Sequence, residues 1–226
     1  VVGLSYGGAS LLRASLLKEI KNNPPTSILS YGTYFSIETA LDFFLTGKIK
    51  YNKQEFSIKP HEWGVIVIFY NFFKTLSTEY DQENITKLLK HRIKDEDAQV
   101  EKIKNILNQN DLELINNILS GNVNATIKNL IEEMIHANNE LLEYLSPKNW
   151  SKDISIKTFI IHGANDSMVP FTESTLLSQH INNSELLISF LYEHRELSSN
   201  RGIVFKIKEV IKMINFFAFF FRYNEN

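Results

Sequence analysis

The spacing of apolar positions along this chain changes repeatedly, and each change marks an element. A short apolar stump, Val1 to Leu4, comes first. From Ala9 the spacing is helical, through Ala9, Leu12, Leu16 and Ile20, with Leu11 and Leu17 widening the stripe. Lys18 and Lys21 suit the carbonyl end of such a helix, and Asn22-Asn23-Pro24-Pro25 stops it because neither proline can continue it. Residues 26–31 are a compact apolar run suited to a buried strand. From about residue 47 to residue 150 glycine and proline become rare and helical periodicity dominates. Expected helices there span 63–76, 82–92, 96–108, 112–119 and 125–144. A second buried-strand run covers 156–161, and Pro170 opens a helix over 171–181. A strand over 185–192 and a final helix over about 203–221 close the pattern. Strand stump, helix and strand at the start form a βαβ unit, the building block of a parallel sheet.

Within that frame the candidate chemistry sits at turns. Gly3-Leu4-Ser5-Tyr6-Gly7-Gly8 places a serine between glycines where a strand gives way to a helix. This is the layout of a nucleophile elbow. A serine held in a strained turn brings neighbouring backbones so close that a Cβ two residues to either side is expected to clash. The plain alternative is a turn serine. The 156–161 run ends in His162-Gly163-Ala164-Asn165-Asp166-Ser167-Met168-Val169-Pro170, and Glu193-His194 follows the next strand.

Together these residues resemble the α/β-hydrolase superfamily over residues 1–46 and 151–226. The HG-x-x-D-x-x-V-P run is the most specific piece, and the chain order Ser5, Asp166, His194 matches that family's Ser…Asp…His order. The resemblance implies an α/β fold: the C-terminal part of an α/β-hydrolase parallel sheet flanked by helices, with an α-helical cap inserted at 47–150. It implies a serine hydrolase cleaving an ester or other acyl bond. Ser5 would be nucleophile, His194 base and Asp166 the acid that orients it, with the backbone N–H of Tyr6 donating to the oxyanion. No cofactor is implied, and the partner is a small acyl substrate, apolar in character. Glu193 and Asp153 are rivals for the acid, and His180 for the base, although its helical position makes Ser Oγ harder to reach. His162 reads as structural, bonding beneath the loop that carries Asp166. The family places on the order of a hundred residues before its elbow, including the second oxyanion donor. Only Val1 and Val2 precede Gly3 here, so the chain reads as a fragment expected to be poorly competent alone.

Composition adds boundaries. The chain has 226 residues, 43% hydrophobic, a net charge of −2 and no cysteine. That bulk suits a sizeable core. No basic excess argues for nucleic acid, and the lack of thiols excludes a cysteine nucleophile while fitting a reducing, cytoplasmic setting. His61, His91 and His136 lack ligand spacing, so a metal hydrolase is not expected. Residues 65–73 are apolar nearly all round, which fits either a buried helix or an acyl-binding wall. They are too few for a membrane span, as is expected of the whole chain. The phenylalanine run 216–221 fits a last helix packing on the sheet, with membrane adhesion as the other reading. A non-catalytic member of the same fold, binding another protein, is the competing function.

Overall fold

The structure, a computed structural model, describes residues 1–193 and 202–225. In chain order the elements are β1 (Val2–Leu4), α1 (Tyr6–Ala14), α2 (Lys18–Asn22), β2 (Ser27–Tyr31), α3 (Ile37–Thr46), β3 (Lys48–Tyr51), β4 (Gln54–Ser57), α4 (Glu62–Phe72), α5 (Gln82–Ile93), α6 (Asp97–Lys104), α7 (Gln109–Ser120), α8 (Ala125–Ala137), α9 (Asn139–Leu145), β5 (Lys157–Asn165), α10 (Phe171–His180), β6 (Ser184–Glu193) and α11 (Ile203–Glu225). They fall into two compact units. One holds Val1–Phe43, Gly47–Ile58 and Glu143–Asn226; the other holds Phe44–Thr46 and Lys59–Leu142.

The first unit is built on a four-stranded sheet in the order β1-β2-β5-β6, parallel throughout. Side chains alternate across a strand, and the two faces separate accordingly. Ile28 and Ile160 point to one face, where they pack with Leu12 of α1 and with Leu177 and Ile181 at α10. Leu29, Phe159, Ile161 and Leu187 point to the other, against Phe216 of α11. Both faces are covered, as the continuous apolar runs of β2 and β5 require. The ring of Phe159 meets Phe216, Phe219 and Phe220 edge-on, with centroids 5.1–5.8 Å apart, so much of the C-terminal phenylalanine run is sheet packing. At the β6 edge, Glu209 of α11 is buried and accepts the Phe190 N–H at 3.2 Å, covering a donor the edge strand would otherwise expose.

Several elements differ from their expected extents for local reasons. The first helix ends at Ala14 instead of running to Ile20, because the buried Ser15 hydroxyl takes the Leu12 carbonyl at 2.6 Å and the next turn tightens. β5 runs on through Asn165, with a register shift between Gly163 and Asn165. The antiparallel hairpin β3–β4 stands inside the 47–150 segment expected as a helical cap, before the first helix expected there, and it lies with the sheet unit. Its turn carries Asn52 and Lys53 at φ 49° and 64°.

The second unit is helical. Ile66, Phe69 and Phe73, Ile85 and Leu88, Ile115 and Ile118, and Ile127 and Ile131 are buried on α4, α5, α7 and α8 or just beyond them. Asp81, Asn108 and Asn124 start α5, α7 and α8 by accepting backbone N–H groups from their first turns. The expected 125–144 helix breaks at Asn138, whose side-chain amide and backbone N–H both turn to the Met134 carbonyl. The apolar helix at 65–73 supplies buried residues here, Val65, Ile66, Ile68 and Phe69 among them.

Candidate active site

In a parallel sheet all strands present their carboxyl ends at one edge, where ligands bind in open α/β folds. Three loops meet there in this chain. Ser5 follows β1, Gly32 and Thr33 follow β2, and Asp166 follows β5.

Ser5 has φ 50° and ψ −126°, a conformation an L-residue rarely takes, at a cost of about 1–3 kcal/mol. It is held from below. Its N–H donates to the Tyr31 carbonyl at 2.7 Å, and its own carbonyl accepts from Gly8 N–H at 2.9 Å and Thr33 Oγ1 at 3.2 Å. Thr33 is in turn fixed by the Ser30 hydroxyl at 2.6 Å. A Cβ on Gly3 would stand 2.7 Å from the Gly8 Cα, and one on Gly8 would overlap Thr33 Oγ1. A Cβ on Gly7 would meet nothing within 4 Å. The expectation of tight glycines two residues either side is thus corrected. Gly3 and Gly8 are the close approaches; Gly7 is not.

Tyr6 is the first residue of α1, so its N–H has no carbonyl within the helix to bond. It stands next to Ser5 at the positive end of the helix dipole.

Asp166 is buried, and its Oδ1 accepts the N–H groups of Met168 at 2.7 Å and Val169 at 3.0 Å. These bonds close the loop around the carboxylate. Gly32, at φ 63°, donates its N–H to the Ile161 carbonyl and passes close to Asp166, where a Cβ would lie 3.7 Å from Oδ2. Ser5 and Asp166 are walls of one cavity of about 340 Å³, together with Leu4, Tyr31, Gly32, Met168 and Val169.

His162 is fully buried under this loop. Its Nε2 lies 2.8 Å from the Val169 carbonyl, its Nδ1 2.6 Å from Ser174 Oγ, and its Nε2 3.7 Å from Asp166 Oδ2. Burial lowers its pKa, against the opposing pull of the Asp166 carboxylate and the Val169 hydrogen bond. It holds the loop, as the sequence reading had it.

His180 ends α10, three residues from Asn183, which precedes β6, so it stands at the amino ends of the strands. Its ring packs edge-on against Phe35, centroids 4.5 Å apart. Ten helical residues, about 15 Å of rise, separate that end of α10 from the loop carrying Asp166. His194 lies outside the described residues. The strand that precedes it ends at Glu193, whose register partner is Asn165, the neighbour of Asp166.

The buried carboxylate behind this site is not marked in the sequence. Glu173 accepts N–H groups from Phe35 at 2.9 Å and Ser36 at 2.8 Å, and the Thr39 hydroxyl at 2.7 Å. It fastens the loop after β2 to α10. Burial raises its pKa, while the same three hydrogen bonds pull it down. Its only sequence signal is a glutamate in the first turn of a helix, which is commonplace.

The BD-FAE family model matches residues 73–181, just under half of the chain, a span that includes Asp166 but not Ser5. No curated protein matches the sequence. Among solved structures, a non-heme bromoperoxidase described as putative, from Mycobacterium tuberculosis H37Rv, is 13% identical, with 96% of this chain and 66% of that one covered at a TM-score of 0.40. An esterase from Exiguobacterium antarcticum is 14% identical, with 95% and 65% covered at a TM-score of 0.35. A meta-cleavage product hydrolase from Pseudomonas fluorescens IP01 is 13% identical, with 96% and 63% covered at a TM-score of 0.36. The chain spans less than two thirds of the length of such structures. No helix among the described residues is long and apolar enough to cross a membrane. With a parallel sheet flanked by helices, a strained serine turn at the end of β1 and an acidic loop at the end of β5, the chain is similar in fold to the α/β-hydrolase superfamily.

Proposed function

We propose that this chain carries the catalytic residues of a serine hydrolase that cleaves an ester or other acyl bond. The observation that supports this most strongly is Ser5 itself: a strained, exposed serine at the carboxyl edge of a parallel sheet, sharing a cavity with a loop carboxylate. Strain of this kind persists only where the surroundings over-determine it, and it clusters at functional sites.

In this reading Ser5 Oγ attacks the acyl carbon while His194 takes its proton. The Tyr6 N–H stabilises the oxyanion, and His194 then returns the proton to the leaving alcohol or amine. Water, deprotonated by the same histidine, releases the acid and regenerates Ser5. Asp166 keeps the imidazole in the required tautomer. Leu4, Met168 and Val169 make the cavity suited to a small apolar acyl group.

The test is covalent labelling with a fluorophosphonate, which reacts only with an activated serine. The full chain should label on Ser5, and Ser5→Ala should abolish labelling. Losing a triad serine costs about a millionfold in turnover in a comparable enzyme. Absence of labelling in the folded intact protein would place it with non-catalytic members of the fold.

A further inference from the structure

A second concavity of about 450 Å³ runs along α1, beginning one residue beyond Ser5 and lined by Tyr6, Arg13, Leu16, Leu17, Tyr34 and Tyr144. Its chemistry differs from that of the cavity at Ser5, because it contains a cation. The Arg13 guanidinium lies 4.8 Å from the centroid of the Tyr144 ring and 5.4 Å from that of Trp150. The wall behind it is fixed: Trp150 is buried and donates its indole N–H to the Tyr144 carbonyl at 3.1 Å. Stacking on two rings orients a planar guanidinium without consuming its N–H donors, which lie in its plane.

The Arg13 guanidinium has no ion pair and no hydrogen bond among the described residues. The acid nearest in sequence to this wall, Glu143, is taken by Lys148 at 3.0 Å and by Asn149 at 2.6 Å. Glu38 is likewise held by Lys148, at 3.1 Å. Burial holds the Tyr34 hydroxyl in its neutral form, with Tyr6 adding to the effect, so it sets no competing negative charge beside the cation.

We propose that this cleft is a binding site for a carboxylate carried on an aromatic or aliphatic body, with the carboxylate on Arg13 and the body against the tyrosine and leucine side chains. A guanidinium fork matches a carboxylate with two parallel hydrogen bonds. A single cation among apolar walls neutralises one negative charge, which favours a monoanion over a phosphate dianion. The site stands independently of the role assigned to Ser5.

Isothermal titration of the full chain with 4-phenylbutyrate tests it, beside the isosteric 4-phenylbutyramide and phenyl phosphate. The acid should bind at least about tenfold more tightly than the amide, and its affinity should fall with added salt. Arg13→Gln should lose that preference, Arg13→Lys should retain part of it because a point charge replaces a fork, and Ser5→Ala should bind as the wild type does. Equal binding of acid and amide by the wild-type chain would overturn the proposal, without depending on whether any variant folds. So would tighter binding of phenyl phosphate, or an acid preference undiminished in folded Arg13→Gln.

Discussion

The buried imidazole of His162 donates from Nε2 to the Val169 carbonyl at 2.8 Å, joining the middle of β5 to the far end of the loop that carries Asp166. Burial favours the neutral ring, and in that form Nε2 as donor leaves Nδ1 to face the Ser174 hydroxyl at 2.6 Å as acceptor. Both of its nitrogens are used in holding the loop. It sits close to the site and is no candidate for the base.

A pH dependence follows from that neutrality. The folded-state pKa of His162 lies below its ordinary value of 6.5. Between those two values the unfolded chain binds a proton that the fold refuses, so stability falls as pH drops below about 6.5 and rises as pH increases through the window. His162→Gln should lower the urea midpoint at neutral pH, because a buried carbonyl and hydroxyl lose well-placed partners, at about 1–3 kcal/mol for each. The gap between wild type and variant should narrow towards pH 5. A gap that widens on acidification would contradict the neutral assignment.

Glu173 has the opposite sign. Its folded pKa is raised, so the fold binds a proton more readily than the unfolded chain, and this contribution is lost as pH rises through the folded value. Its hydrogen bonds nonetheless matter at neutral pH. Glu173→Ala would strand the N–H groups of Phe35 and Ser36 and the Thr39 hydroxyl, costing about 3 kcal/mol or more. Glu173→Gln keeps an acceptor for the two N–H groups and should cost far less. Equilibrium unfolding of both variants at pH 7 checks the order.

The elbow separates its glycines sharply. Gly8→Ala places a methyl group into Thr33 Oγ1 and Ser30 Oγ, the hydroxyls that carry the Ser5 carbonyl. It should destabilise the chain by about 1–3 kcal/mol and disturb the Ser5 turn. Gly7→Ala meets open space and gains up to about 1 kcal/mol of helix propensity. Thermal melts of the two variants should therefore move in opposite directions.

These residues also show where the sequence was legible. The close approach at Gly3 was legible in the spacing around the serine, whereas that at Gly8 was not, because it is set by the Thr33 and Ser30 hydroxyls and not by the glycine two residues after Ser5. The strands β2 and β5 were visible because a sheet covered on both faces needs unbroken apolar runs. Thr33 and Glu173 were not visible, because their roles arise from contacts with residues far away in sequence: Thr33 reaches Ser5, and Glu173 reaches Phe35, Ser36 and Thr39. The β3–β4 hairpin was hidden for a different reason. Its turn uses Asn52-Lys53 with both residues at positive φ, where Asn-Gly is the usual signal. The early end of α1 depends on one rotamer of Ser15, which no periodicity reports.

The assignment of the base gives the last prediction. Ser5 and Asp166 both stand at the carboxyl edge of the sheet, and His194 follows directly from the strand end that pairs beside Asp166. His180 stands at the opposite end of α10, its ring against Phe35. A base must come within hydrogen-bond reach of the serine oxygen, and a helix about 15 Å long does not bring its far end there. On an ester substrate that the full chain hydrolyses, His194→Ala should lose nearly all turnover while its circular dichroism stays unchanged. His180→Ala should retain turnover within a few-fold and lose only the packing on Phe35. For the acid, Asp166→Asn should cost about 10⁴-fold through loss of the correct imidazole tautomer, and Glu193→Gln should cost little. Similar turnover in the two histidine variants would remove His194 from the mechanism, and a severe Glu193→Gln with a mild Asp166→Asn would move the acid to the end of β6.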